Sequence, residues 1–286
     1  MDIHFWLIQV FNGLSYGALL FLVASGLSLI FGVMRIVNLS HGSYFLLGGY
    51  VALSVIGATG SWALAIPVAA LTLAVVGLLV ERVFLRSLGS TPLRQVLLTV
   101  GFAFLFQQAA LDIWGGDNRD IAPPEALTQS ITVGGLYLPL YRIFMIALAV
   151  LIGVSLWLIM ERTRLGAAVR ATVDDAQMAA GVGVDTSRIS MLVFALGAFL
   201  AALGGVIGGA FLGIYPGLDF EILPIAFAVV IIGGMGSLTG AAIGSVVVGL
   251  ADNFGKALFP EISYFTLYAP MVLILAVKPT GLFGRA

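Results

Sequence analysis

MRIVNLSHGSYFLLGGYV, residues 34–51, decides how this chain is read. It lies between apolar runs long enough to span a bilayer. Arg35, Asn38, Ser40, His41 and Ser43 fall within nine residues, and Gly48-Gly49 follows. One reading is a polar turn on the inner side, with Arg35 obeying the preference of basic residues for the cytoplasm. The other is a helix broken inside the membrane. A break frees backbone N–H and C=O groups that lipid cannot satisfy, so it occurs only where protein or a water-filled path encloses it. The residues alone leave both readings open.

The surroundings fix the fold class. Of 286 residues, 60% are hydrophobic and 9% are charged. Soluble domains carry about 25% charged residues, so this chain has too few to cover a water-facing surface. Long apolar runs recur, each sufficient for a membrane helix. Segments such as AIPVAALTLAVVGLLV (65–80) do not alternate as barrel strands would. The chain therefore reads as an all-α polytopic membrane protein, a single transmembrane domain over residues 1–286. The absence of cysteine excludes disulfides, Cys-bound metals and iron–sulfur clusters. MDIHFWLIQVF at the start has no basic region and no small-residue cleavage site, so it reads as the beginning of the first span.

Spans are expected at about 5–33, from the opening stretch to 57, at 62–80, 95–114, 141–160 and 189–213. Shorter pieces follow near 220–234, 238–255 and 264–278, giving eight or nine spans with some broken or re-entrant. Ten of the thirteen Lys and Arg residues then fall on one side, taken as cytoplasmic. With nine spans the N-terminus lies outside and the C-terminus inside. The long outer loop is 115–140 and the long inner loop is 161–188. In the inner loop, Leu165 to Ala180 reads as one short helix ending at Gly181 or Gly183. Arg170, Asp174 and Asp175 would share a face, with Ala171, Met178 and Ala179 available beside them. Such a helix either docks into a partner's groove or lies on the membrane surface.

A second candidate site is GGMGSLTGAAIGSVVVG (233–249). Gly240, Gly244 and Gly249 stand near helical spacing, which lets helices approach closely. The segment is either a broken helix lining the same path as 34–51 or a tight packing seam. IFGVMRIVNLSHG (30–42) and IIGGMGSLTG (231–240) share a shape, so an internal repeat is a further reading. His41 has only His4 as another histidine, which does not make a metal site. No H-E-x-x-H, G-x-S-x-G or Gly-Lys-Ser/Thr occurs, so no catalytic or nucleotide site is recognised. Asp219 and Glu221, in IYPGLDFEILP, read more as markers of the outer membrane edge than as substrate contacts. Asp112 and Asp252 show no clear cationic partner. That counts against a proton-coupled carrier, because intramembrane carboxylates mark such paths.

Three stretches carry a family resemblance: FNGLSYGALLFLVASGLSLIFGVMRIVNLSHGSYFLLGGYV (11–51), RATVDDAQMAAGVGV (170–184) and IIGGMGSLTGAAIGSVVVG (231–249). They resemble the permease subunits of bacterial branched-chain amino acid (leucine/isoleucine/valine) ABC transporters, and the shorter of the two permeases in particular. The resemblance covers essentially the whole chain. It implies a multi-pass protein of the bacterial inner membrane, not itself an enzyme. Its partners would be a second permease subunit, two ATPase subunits and a periplasmic substrate-binding protein, with no nucleic acid. ATP and Mg would be used by the ATPases, with no cofactor or metal in this chain. The solute would be a branched-chain or other hydrophobic amino acid, or a related small solute such as an aromatic carboxylate, urea or an amide. Asn38, Ser40, His41, Gly42, Gly233, Gly234, Gly236 and Ser237 would belong to the substrate pathway. Arg170, Asp174, Asp175, Met178, Ala179 and Gly183 would couple it to the ATPase. The rival is a stand-alone channel or secondary transporter.

Overall fold

Apolar stretches without an alternating pattern satisfy their backbone only by winding into helices in lipid. The computed structural model describes residues 3–89 and 91–284. Eight of its helices are long and apolar enough to cross a membrane. They are α1 (Ile3–Met34), α2 (His41–Thr59), α3 (Trp62–Leu79, helical on to Leu88), α4 (Pro92–Trp114), α5 (Leu140–Arg162), α8 (Thr186–Leu212), α10 (Leu238–Leu258) and α11 (Ser263–Val277), which spans together with the 3-10 turn Pro260–Ile262 before it. The expected spans and the observed helices agree to within a few residues. One difference lies at the end of α3, where the chain stays helical through a π turn, Val80–Leu85, and a short 3-10 turn to Leu88.

Between α8 and α10 lies α9 (Leu218–Gly233), which has only 16 residues. At 1.5 Å per residue it is about 24 Å long, short of a hydrocarbon core of about 30 Å. Eight full spans plus one short segment is thus the observed form of the eight-or-nine expectation.

The outer loop carries a hairpin of β1 (Ser130–Val133) and β2 (Leu136–Pro139), antiparallel with Val133 opposite Leu136. Gly134 and Gly135 both take positive φ, as a two-residue hairpin turn requires. In the inner loop the expected single helix is two. α6 (Arg164–Asp174) stops, Asp175 is extended, and α7 (Ala176–Gly181) restarts. Asp175 therefore does not continue the face of Arg170 and Asp174. Short Asp side chains compete with the helical backbone and favour helix starts.

α1 and α8 are the most buried of the long helices, while α4, α5 and α11 lie at the periphery. α1 packs against α8 and α10, and α8 against α2 and α3. The seams are made by residues without side chains. A Cβ on Gly249 of α10 would strike the backbone of Gly13 and Gly17 on α1, and one on Gly205 of α8 would strike the carbonyl of Phe45 on α2. Gly57, by contrast, has nothing within 4 Å of such a Cβ.

Gly249→Leu should therefore force α1 and α10 apart and destabilise the purified protein by roughly 1–3 kcal/mol or more. Gly57→Ala should be neutral or stabilise by up to about 1 kcal/mol. Thermal unfolding in detergent checks both; equal melting temperatures for the two variants would contradict the seam.

Candidate functional site

The break after α1 is settled by burial. Arg35 ends the helix with φ 54, a left-handed conformation unusual for a side-chain-bearing residue. The chain then turns back along α1 rather than leaving the membrane. His41 Nε2 lies 2.9 Å from the carbonyl oxygen of Val23. Val23 is eleven residues before Met34, so α2 begins about 16 Å inside the inner end of α1. Asn38, Ser40 and His41 are 0% exposed. Protein encloses these residues on all sides, as an enclosed helix break requires.

The segment satisfies much of its own polarity. The amide N–H and hydroxyl of Ser40 donate to Asn38 Oδ1 at 3.2 and 2.7 Å, and the N–H of Leu39 donates to Thr99 Oγ1 of α4 at 3.1 Å. Since a carbonyl only accepts, His41 Nε2 carries the proton of this hydrogen bond. His41 Nδ1 and Asn38 Nδ2 have no protein partner. Being fully buried, Asn38, Ser40 and His41 open on no path in this conformation. Leu39, between them, does line a groove.

Gly42 packs on the start of α9, where a Cβ would strike the Asp219 carbonyl. Ser43 Oγ donates to Asp219 Oδ2 at 2.9 Å. The N-termini of α2 and α9 thus meet inside the protein. Asp219 is 2% exposed, so it is not an edge marker. The reason is the preceding segment. Gly213 and Gly217 take positive φ, and Ile214 exchanges two backbone hydrogen bonds with Arg119 of the outer loop at 2.7 and 2.8 Å. These fold residues 213–217 inward and start α9 below the surface. Glu221 remains exposed and accepts from the Tyr215 hydroxyl at 2.8 Å. The readable signal was a carboxylate in the first turn of an apolar helix after Y-P-G, a position the helix dipole favours.

The expectation for Asp252 is also corrected. Its buried carboxylate pairs with Lys256 at 2.7 Å, one turn along α10. Asp112 accepts from the Gln108 amide at 2.8 Å.

Beside the meeting of α2 and α9 runs an apolar groove of about 490 Å³. Leu39, Phe104, Phe220, Leu223, Phe227 and Met271 are among its walls, drawn from the broken segment, α4, α9 and α11. Sequence reasoning missed it, because its walls are far apart in the chain.

The glycine-rich segment forms the tight turn from α9 to α10. Gly234 and Gly236 take positive φ, and Gly236 packs on Gly32 of α1. Ser28 Oγ of α1 donates to the Ser237 carbonyl at 3.2 Å. Ser237 Oγ caps α10 by accepting from the Gly240 N–H at 3.0 Å, whereas Ser40 gives α2 no such cap. The carbonyls of Ile232 and Gly233 accept from the N–H groups of Leu282 and Phe283, each at 2.9 Å. The C-terminal segment thereby straps the end of α9. None of Gly233, Gly234, Gly236 and Ser237 is among the walls of the groove.

The inner helices are defined by caps. Thr163 Oγ1 accepts from the Gly166 N–H at 3.1 Å to start α6. Asp175 Oδ1 accepts from the N–H groups of Gln177 and Met178, both at 2.9 Å, to start α7. Gly183, at φ 92, ends α7 in a Schellman turn, with Val184 N–H to Ala179 O and Gly183 N–H to Ala180 O at 3.0 Å each. Ala179 is buried, while Met178 and Val182 are 67% and 74% exposed. Arg170 pairs loosely with Glu161 at 3.7 Å, and Asp174 closes α6. The Arg35 guanidinium reaches the Val173 carbonyl at 3.4 Å, linking α6 to the start of the broken segment.

Comparison with known proteins adds the family. The chain is 29% identical to the high-affinity branched-chain amino acid transport system permease protein BraD of Pseudomonas aeruginosa, over 99% of this chain and 97% of that one. It is 30% identical to LivH, the protein of the same description in Escherichia coli K12, over 98% of this chain and 96% of that one. LivM of the same strain is 27% identical and is covered over 66% of its length. No solved structure matches. The family described as branched-chain amino acid transport system, permease component, matches residues 9–275, so this multi-pass inner-membrane chain belongs to that family of ABC importer permeases.

Proposed function

We propose that the chain forms one half of the membrane path of an ATP-driven importer for branched-chain amino acids. The observation that carries this is the apolar groove beside α9, which suits an aliphatic side chain. The names of BraD and LivH support the same solute class. A wall of leucine and phenylalanine holds an aliphatic solute weakly, which transit requires. The groove opens on the outside of this chain, between peripheral helices. A second permease subunit completes it, and a periplasmic binding protein delivers the solute.

ATP and Mg act on two partner ATPases, and this chain binds neither. Met178 and Val182 project from α7 as apolar contacts for an ATPase groove. Movement of α7 and α6 is passed to the broken segment through Val173 and Arg35.

Asp175→Ala removes the cap of α7, at a cost of about 1 kcal/mol. We expect loss of uptake in proteoliposomes of the assembled transporter, with basal ATP hydrolysis retained. Asp175→Asn keeps a capping oxygen and should keep most transport. Normal uptake by the alanine variant would remove α7 from the coupling role.

His41→Ala leaves a cavity and removes the hydrogen bond that the Val23 carbonyl accepts in addition to its helical one, at roughly 2–4 kcal/mol. The assembled complex should melt lower and transport less. His41→Gln, whose amide reaches the same carbonyl, should recover much of both. If glutamine behaves like alanine, the Val23 contact is not what His41 provides.

A further inference from the structure

Three carboxylates are buried among the described residues: Glu81, Asp219 and Asp252. Asp252 is paired with Lys256. Glu81 sits in the π turn at the inner end of α3, on none of the elements that wall the groove. Asp219 is the remaining one. Its Oδ2 accepts from the Ser43 hydroxyl; backbone groups at the start of α9 lie beside the carboxylate, but its Oδ1 makes no hydrogen bond of good geometry. Among the described residues no Lys, Arg or His forms an ion pair with it. A carboxylate taken out of water without a cation is costly, and in a membrane protein it marks a place where charge passes.

Its neighbours say what kind of charge. Phe220 and Leu223, one and four residues on along α9, both line the apolar groove, as does Leu39. Asp219 and Leu223 lie one above the other on the helix. Asp219 itself is not a wall of the groove, but it stands next to the wall residues Phe220 and Leu223. Asp219 also lies where two helix N-termini meet. The first-turn N–H groups of both helices are largely taken by backbone carbonyls, such as Ser43 N–H to Ser40 O and Phe220 N–H to Gly217 O.

Resting on the amino-acid reading above, we propose that Asp219, oriented by Ser43, is a transit site for the ammonium group of a zwitterionic α-amino acid whose aliphatic side chain lies in the adjacent groove. The ammonium supplies the missing cation and donates to Oδ1. Urea and amides bring no cation to the site, and an aromatic carboxylate brings a second negative charge. In the conformation described, Gly42 closes against Asp219, so the site opens when α2 and α9 part.

The test uses the assembled transporter with its binding protein in proteoliposomes. Asp219→Asn keeps size and the Ser43 contact but loses the charge. Leucine uptake should fall about tenfold or more, with assembly and binding-protein-stimulated ATP hydrolysis retained. Asp219→Glu should restore part of it. Uptake by the asparagine variant within about twofold of wild type, well short of the loss of a charged hydrogen bond, would overturn the proposal.

A second measurement needs no variant. A hydrophobic carbodiimide modifies Asp219 in the wild-type complex, read by peptide mass spectrometry. Leucine and isopentylamine should slow the labelling, while isocaproate, the same skeleton without the amine, should not. Equal effects of the three compounds, or protection by sodium ions alone, would overturn the ammonium site. A wild-type complex that takes up no branched-chain amino acid would sink the solute reading. Protection by isopentylamine would still judge the Asp219 site by itself.

Discussion

A chain that breaks a helix inside a bilayer has to surround the break with protein, because each free backbone group there costs several kcal/mol without a partner. Residues 35–40 set this demand. The other central helices are placed so as to meet it. α1 continues eleven residues past Val23 and forms one wall. α8 and α9 close on the start of α2, and Thr99 of α4 takes the N–H of Leu39. The imidazole of His41 reaches across to a backbone carbonyl of α1. The polar run is therefore the material that lets α2 begin below the surface.

Enclosure at this closeness requires backbones to touch. Lipid tails are as apolar as leucine side chains, so helices associate in a membrane through packing rather than through exclusion from water. Gly17 and Gly249 let α1 and α10 meet, and Gly205 lets α8 seat against α2. The same economy leaves α4 and α11 at the periphery. Their faces, with that of α9, form the groove.

Span positions were legible because length and hydropathy alone determine them. The class of the break was not, since both readings of residues 34–51 share one composition and differ only in what surrounds them. Asp219 was misread for a related reason. A carboxylate next to Y-P-G looks like a surface residue until Ile214 is seen paired with Arg119, far away in the chain. The split between α6 and α7 was readable in principle. Asp175 begins a helix better than it continues one. The Asp252–Lys256 pair was readable too, as carboxylate and amine four residues apart on a helix.

The two polar turns that looked alike in sequence differ in how they are held, and the difference assigns them different parts in the proposed cycle. The Gly234–Ser237 turn is fastened on three sides. The tail donates two backbone hydrogen bonds to the end of α9, Ser28 holds the Ser237 carbonyl, and Ser237 caps its own helix. Nothing there is left to rearrange cheaply. The 35–40 segment begins at a residue in a strained backbone conformation, gives α2 no cap, and keeps unpaired polar atoms on Asn38 and His41. Such strain persists only where the surroundings over-determine it, and it is released when they move. What touches the strained residue from the inner side is Val173 of α6, the helix before α7. In the proposed cycle, a push on the inner helices would reach this turn through the contact of Val173 with Arg35, a few residues before Gly42.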